Sequence, residues 1–243
     1  MRRHPNPFVP LAIIAIAVVA LGCAPSSELE PMEEATEVPT ADDAAITSSR
    51  GVEMIAHGDR WDGDEVVEHF TTPVYVQIRN DSDHDLLIRY TNFALLGAFD
   101  RYAVLPPFVL ETTDDQTELA AGTSTVDEPL FSTEGFEIAP YYAPAYPNLV
   151  GYDGIMIVDL DYHTRYMAEW TEIEELPTAE MRSWALPEGV LTPGSELTGF
   201  LFFEKVDPDE AQVNLYFELE DAADHDYFGG LWIPFEPEGP FEP

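Results

Sequence analysis

Apolar and polar residues alternate in two stretches of the chain, and each alternation is followed by a polar break and a second apolar run. In the first stretch Val74, Val76 and Ile78 share one face, residues 80–85 are polar, and Leu86, Leu87, Ile88 and Tyr90 resume the pattern. This spacing predicts a hairpin with one face turned inward. In the second, Val213, Leu215, Phe217 and Leu219 alternate with Asn214, Tyr216 and Glu218; polar residues 221–226 and then Leu231-Trp232-Ile233 follow. Both breaks contain Asp-His-Asp, at residues 83–85 and 224–226, a composition suited to tight turns. Another strand is expected at Phe200-Leu201-Phe202-Phe203, and Trp61, Trp232 and most phenylalanines read as core.

The middle of the chain is less regular. Residues 111–125 are polar and read as a loop, after which Pro140, Pro144 and Pro147 interleave with Tyr141, Tyr142 and Tyr146. Tyr162, Tyr166, Met167, Trp170 and Ile173 fall at helical spacing. A second short helix is predicted from Thr178 as N-cap to about residue 185, ended by Leu186-Pro187-Glu188-Gly189. Short strands with Pro- and Gly-marked turns predict an all-β, antiparallel β-sandwich domain over residues 52–243. Residues 76–80, Asn92-Phe93-Ala94-Leu95, Asp100-Arg101-Tyr102, Pro193-Gly194 and the run from Gly199 to Glu204 resemble the strand grammar of immunoglobulin-like domains of exported lipoproteins, including the telokin-like type. The resemblance implies an immunoglobulin-like sandwich with an inserted segment, about residues 134–189, carrying the short helices. That family has no agreed catalytic residues, so it transfers none.

Upstream of the domain stand Arg2 and Arg3, a nearly unbroken apolar run over residues 11–21, and Ala20-Leu21-Gly22-Cys23. The run is too short for a membrane-spanning helix, which needs about 20 residues, and the layout is that of a cleaved secretory signal over residues 1–22. With Cys23 at the break, it resembles the lipobox of bacterial lipoproteins. The resemblance implies a lipid on Cys23 and a membrane anchor at the cell envelope, and Ala24 in place of aspartate implies the outer membrane. Residues 23–51, with Pro25, Pro31 and Pro39, seven carboxylates over 24–50 and no aromatic residue, read as a disordered acidic linker.

Candidate chemistry is sparse. There is no Gly-x-Ser-x-Gly elbow, and Cys23 is the only cysteine, so neither a disulfide nor a thiol nucleophile is expected in the domain. Glycosidase-like carboxylate pairs cannot be singled out among 47 acidic residues. Asp81, Asp83 and Asp85, with Asp224 and Asp226, could supply oxygen ligands to calcium. The alternative is that these residues cap turns; no glycine follows Asp85 as an EF-hand loop would require. Tyr141, Tyr142, Tyr146, Tyr162, Tyr166 and Trp170 form the candidate binding surface, because such rings combine apolar area with a polar handle. The other reading is that they cover a face or edge of the sandwich. The leading expectation is a non-enzymatic binding or structural module with an envelope protein or glycan as partner. The alternative is a calcium-stabilised adhesion or carbohydrate-binding module using the aromatic insertion.

Charge narrows the partners. Of 243 residues, 47 are acidic and 10 basic; beyond residue 23 the balance is 47 acidic to 8 basic, a net −39. Nucleic acid and anionic lipid surfaces are excluded by sign. Self-repulsion on this scale opposes a compact state unless salt screens it, so the composition suits saline surroundings. The melting temperature is therefore expected to rise with added sodium chloride, read by circular dichroism; a flat or falling curve would count against salt adaptation.

Overall fold

The computed structural model describes residues 28–38, 43–113, 116–120, 125–126, 129–131, 134–170, 173 and 176–237. The chain begins with β1 (Leu29–Pro31), β2 (Thr36–Glu37), β3 (Ala44–Ser49) and β4 (Val52–His57), then α1 (Glu65–Phe70) and β5 (Thr71–Asn80). Next come β6 (Leu86–Ile88), β7 (Phe93–Leu96), β8 (Arg101–Ala103), β9 (Leu110–Thr113), β10 (Gln116–Leu119) and β11 (Phe136–Ile138). The helices α2 (Leu160–Trp170) and α3 (Ala179–Trp184) precede β12 (Gly189–Leu191), β13 (Ser195–Glu204), β14 (Val213–Glu220) and β15 (Tyr227–Pro237).

The fold is an all-β antiparallel sandwich with few helices. One five-stranded sheet has the order β1-β15-β14-β7-β8 and the other β13-β5-β4-β3-β2. A three-stranded sheet, β11-β12-β6, and the β9–β10 hairpin complete it. Strict alternation makes the inner faces. Val52, Met54 and Ala56 of β4, Val74, Val76 and Ile78 of β5, and Leu215, Phe217 and Leu219 of β14 are all fully buried. Between the sheets they join Phe93, Leu95, Leu201, Phe203 and Phe235 in one core. Phe93 and Phe217, opposite each other in the β7–β14 register, stack with ring centroids 4.1 Å apart.

A second apolar layer covers the outer face of the β13–β5 pair. Trp61 meets Phe200 and Phe202 edge-on, with centroids 5.1 and 5.4 Å away, and Val67 of α1, Met167 of α2 and Met181 of α3 pack beside it. The α3 helix starts as its sequence predicts: the Thr178 hydroxyl accepts from Met181 N at 3.0 Å. The predicted helix across Tyr162 and Trp170 is α2.

Four sequence expectations change. The segment expected as a disordered linker holds three strands: β1 pairs with the end of β15, and β2 and β3 extend the second sheet. Acidic composition hid them, because Leu29, Ala44 and Ala45 are few but fully or almost fully buried. Gly58 has no side chain where Leu29 passes, and Leu29 N donates to its carbonyl at 3.3 Å. The β3–β4 turn has Arg50 and Gly51 at φ 54° and 84°, the left-handed conformations that a two-residue hairpin turn demands.

Second, the predicted hairpin across residues 80–85 does not form. β5 is paired on both sides, by β4 and β13, so β6 leaves for β12. Asn80 fixes the departure, donating through Nδ2 to His84 O and Leu191 O at 2.8 Å each. Third, within the segment expected as a polar loop, β9 and β10 pair as a hairpin. Fourth, Trp232 is 52 % exposed rather than core, because alternation turns it away from Leu231 and Ile233.

The β14–β15 hairpin forms as expected, with a register irregularity at Leu219/Glu220. Because β1 belongs to the sandwich, Leu29→Ala is expected to destabilise the protein by about 2–5 kcal/mol. Urea denaturation followed by circular dichroism checks this; an unchanged midpoint would mean β1 contributes nothing.

Candidate functional site

Three proline-interrupted turns put the tyrosines of residues 141–146 into the core rather than on a helix. Tyr142 N donates to Ala139 O at 2.9 Å and Tyr146 N to Ala143 O at 3.2 Å. Tyr141, Tyr142 and Tyr146 are 6 %, 0 % and 1 % exposed. Their hydroxyls find partners inside. Tyr146 donates to Arg182 O at 3.0 Å and Tyr141 to Glu188 Oε2 at 2.7 Å. Tyr162, half-buried on α2, donates to Val104 O at 2.6 Å and packs against Tyr166.

Glu188 is the centre of this arrangement. It is 3 % exposed and accepts Tyr90 N at 2.9 Å on Oε1. On Oε2 it meets the Tyr141 hydroxyl, and His163 Nε2 stands 3.2 Å from the same oxygen. His163 Nδ1 lies 3.5 Å from the Tyr142 hydroxyl, and the Tyr90 hydroxyl donates to Leu186 O at 3.0 Å. A carboxylate so far from water is tolerated only with its lone pairs engaged. Burial, reinforced by the Glu188 charge, pushes the Tyr90, Tyr141 and Tyr142 hydroxyls well above their ordinary pKa, so they stay protonated as donors. With His163 at 2 % exposure and Glu188 enclosed, the pair has no face open to a substrate. It holds the segment carrying β11 and α2 to the sandwich.

Beside this network is an open groove of about 790 Å³, with Leu119, Tyr141, Met156, Ile157 and Leu160 among its lining residues. Residues 155–159, without regular secondary structure, lead along it into α2, with Met156, Val158 and Leu160 packed onto the core. The alternate positions point outward: Ile155 is 83 % and Ile157 64 % exposed, and nearby Val150 is 66 % exposed. Tyr141 thus has two roles, its ring forming groove wall and its hydroxyl held by Glu188.

The turn aspartates go elsewhere. Asp81 pairs with Arg79 at 2.8 Å, the Asp83 side chain is 99 % exposed, and Asp224 Oδ1 accepts from Asp226 N at 3.0 Å. Asp85 contributes its carbonyl, which accepts from Ala222 N at 2.7 Å. Among the described residues no group of three or more His, Cys, Asp or Glu side chains is placed to hold a metal ion. The aspartates considered for calcium, Asp81, Asp83, Asp85, Asp224 and Asp226, are thus not gathered into one such group among the described residues.

The two Asp-His-Asp turns do meet, through protein contacts. His84 Nδ1 is 2.5 Å from Asp221 Oδ2, and His84 stacks on Phe228 at 4.4 Å. The Asp221 hydrogen bond raises the His84 pKa. Burial alone would raise the Asp221 and Glu220 carboxyls. Hydrogen bonding from His84 outweighs it for the first, and bonding from His225, Arg89 and Asn92 for the second, so both are lowered. Arg89 Nη2 reaches Glu220 Oε2 at 2.5 Å.

Of the aromatic residues singled out by sequence, Tyr141, Tyr142 and Tyr146 are thus brought together, but in the interior; Tyr162 packs on the same core, and Tyr166 packs on the second apolar layer. Trp170 closes α2, and its side chain, like Cys23, falls outside what is described. Sequence reasoning missed Glu188 and His163. Glu188 reads as the middle of a Pro-Glu-Gly turn, and His163 as one polar position on an amphipathic helix. No protein-family model, curated protein or solved structure matches this chain.

Glu188→Ala is expected to cost about 3–5 kcal/mol, since it strands three buried donors at once. Tyr141→Phe, which removes one of them, should cost about 1 kcal/mol. Urea denaturation of both variants tests the ranking, and equal losses would contradict a central role for the carboxylate.

Proposed function

We propose that this protein is a lipid-anchored lipoprotein of the bacterial cell envelope whose folded domain is a non-enzymatic binding and structural module. The open groove beside Tyr141 carries the reading: Leu119, Met156, Ile157 and Leu160 give it an aliphatic lining beside its polar surface, and the Tyr141 hydroxyl at its wall is already held by Glu188. Such a groove suits an extended amphipathic ligand or partner segment with apolar side chains to place against the aliphatic lining. Residues 11–21 with Gly22 and Cys23 support the anchor, and Ala24 the outer membrane. The strand pattern around Pro193-Gly194 and Gly199 supports an immunoglobulin-like variant of the sandwich. Burial of Tyr141, Tyr142 and Tyr146 argues against a glycan platform in the insertion.

Two variants test the two halves. Cys23→Ser is expected to move the protein from the membrane to the soluble fraction; retention at the membrane would overturn the anchor. Ile157→Asp is expected to weaken binding of Nile red, a neutral apolar probe, by roughly fivefold or more, on the scale of a buried aliphatic contact. Unchanged dye fluorescence would overturn the groove as the binding face.

A further inference from the structure

The two large sheets treat their outer faces differently. On the second, the chain covers its own aromatics: Phe200 and Phe202 lie under Trp61 and the helices, and the Arg60 guanidinium carbon sits 3.9 Å from the Tyr75 ring centroid. On the first, the β14–β15 pair presents Trp232 at 52 % and Tyr227 at 61 % exposure. Trp232 is opposite Tyr216 in the register, and their ring centroids are 4.2 Å apart. Gly230 allows the tyrosines to lie close over the strand, since a Cβ there would meet Tyr216 Cε2 at 2.9 Å and Tyr227 Oη at 3.3 Å.

Carboxylates border these rings. Glu218 is opposite Gly230, and its Oε2 accepts from the Tyr216 hydroxyl at 3.4 Å. Glu236 follows Trp232 at the same strand parity, and Glu30 of β1 is its register partner; both are exposed. β1, β14 and β15 contain no lysine or arginine. Among the described residues no cationic group stands over these rings as Arg60 does over Tyr75.

We propose that this outer face of β14–β15 is a docking surface for an arginine-bearing basic segment of a partner protein. Charge complementarity selects the occupant: a guanidinium can stack on the face of Trp232 or Tyr227 while donating to Glu218, and a second basic residue of the same segment can meet Glu236 or Glu30, about 13 Å further along the strand. Lysine, a strongly hydrated point charge, stacks less well, so the surface distinguishes the two cations. The chain as a whole, at net −37, attracts such a segment from a distance. This surface is separate from the groove beside Tyr141, and the proposal stands independently of that site's function.

The test is titration of the full chain, solubilised in non-ionic detergent, with a fluorescent alternating Arg-Gly peptide and its Lys-Gly counterpart at about 0.15 M salt, where loose charge attraction is screened. The Arg peptide is expected to bind more tightly than the Lys peptide. Trp232→Ala and Tyr227→Ala should each weaken it by roughly fivefold, as should Glu218→Gln. Asp83→Asn, which removes one fully exposed carboxylate from another turn, should leave binding unchanged. Because Trp232 and Tyr227 are surface residues, unchanged melting of their variants shows that the fold persists. The proposal is overturned if the peptide does not bind, if the aromatic variants bind as wild type, or if Asp83→Asn loses as much as Glu218→Gln. Binding of a neutral oligosaccharide such as cellohexaose in place of the peptide would also overturn it.

Discussion

One buried carboxylate ties the irregular half of this protein to its regular half. Glu188 stands just before β12, accepts a backbone N–H from the segment after β6, and meets side chains from the turn after β11 and from α2. Three of these stretches also adjoin the β11-β12-β6 ladder, and Glu188 adds α2, which no ladder reaches, to them. Taking a carboxylate out of water is costly, and here the cost is offset only when all of these stretches are in place. The constraint is therefore cooperative: the groove wall at Tyr141, the entry to α2 and the position of β12 depend on one acceptor.

The same chain handles its other charges in the opposite way. Most carboxylates stay at the surface, and the few drawn inward have donors. Glu220 is held by Arg89, His225 and Asn92, and Asp221 by His84. These contacts reinforce the backbone bridge between Leu86 and Asp221 that joins the turn after β5 to the turn after β14. Folded-state pKa shifts set the pH range in which this lock is fully charged. The lowered Asp221 keeps its contribution above the ordinary aspartate range and loses it as the carboxyl protonates in acid. The raised His84 keeps its contribution below the ordinary histidine range and loses it as pH climbs through the raised value.

Much of the sandwich was legible because alternation and burial coincide in the middle of β5 and along β14, where Val74, Val76 and Ile78, and Val213, Leu215, Phe217 and Leu219, all face inward. Pairing was less legible. The run Leu86-Leu87-Ile88 has the pattern of a hairpin partner for β5, yet both edges of β5 were already taken, and no local signal reports that. Short edge strands such as β1 escaped notice because a single buried Leu29 among acids and prolines resembles a linker. Trp232 was misread for a simpler reason: size and apolarity suggest core, whereas its strand parity with Tyr216 puts it outside. The polar centre was invisible because a histidine and a glutamate far apart in the chain acquire meaning only when the turns between them are built.

Strand β1 also bears on how the domain would sit in its surroundings. It starts at Leu29, close behind Cys23. Covalent geometry allows a chain no more than about 3.6 Å per residue, so these few residues span at most about 20 Å. On the proposed anchor the sandwich is therefore moored against the bilayer rather than suspended above it. The edge where β1 meets the end of β15 is then the membrane-proximal side. Glu28 and Glu30 at that edge would repel anionic headgroups, so attachment by lipid and repulsion by charge would together fix the height and tilt at which the domain rides.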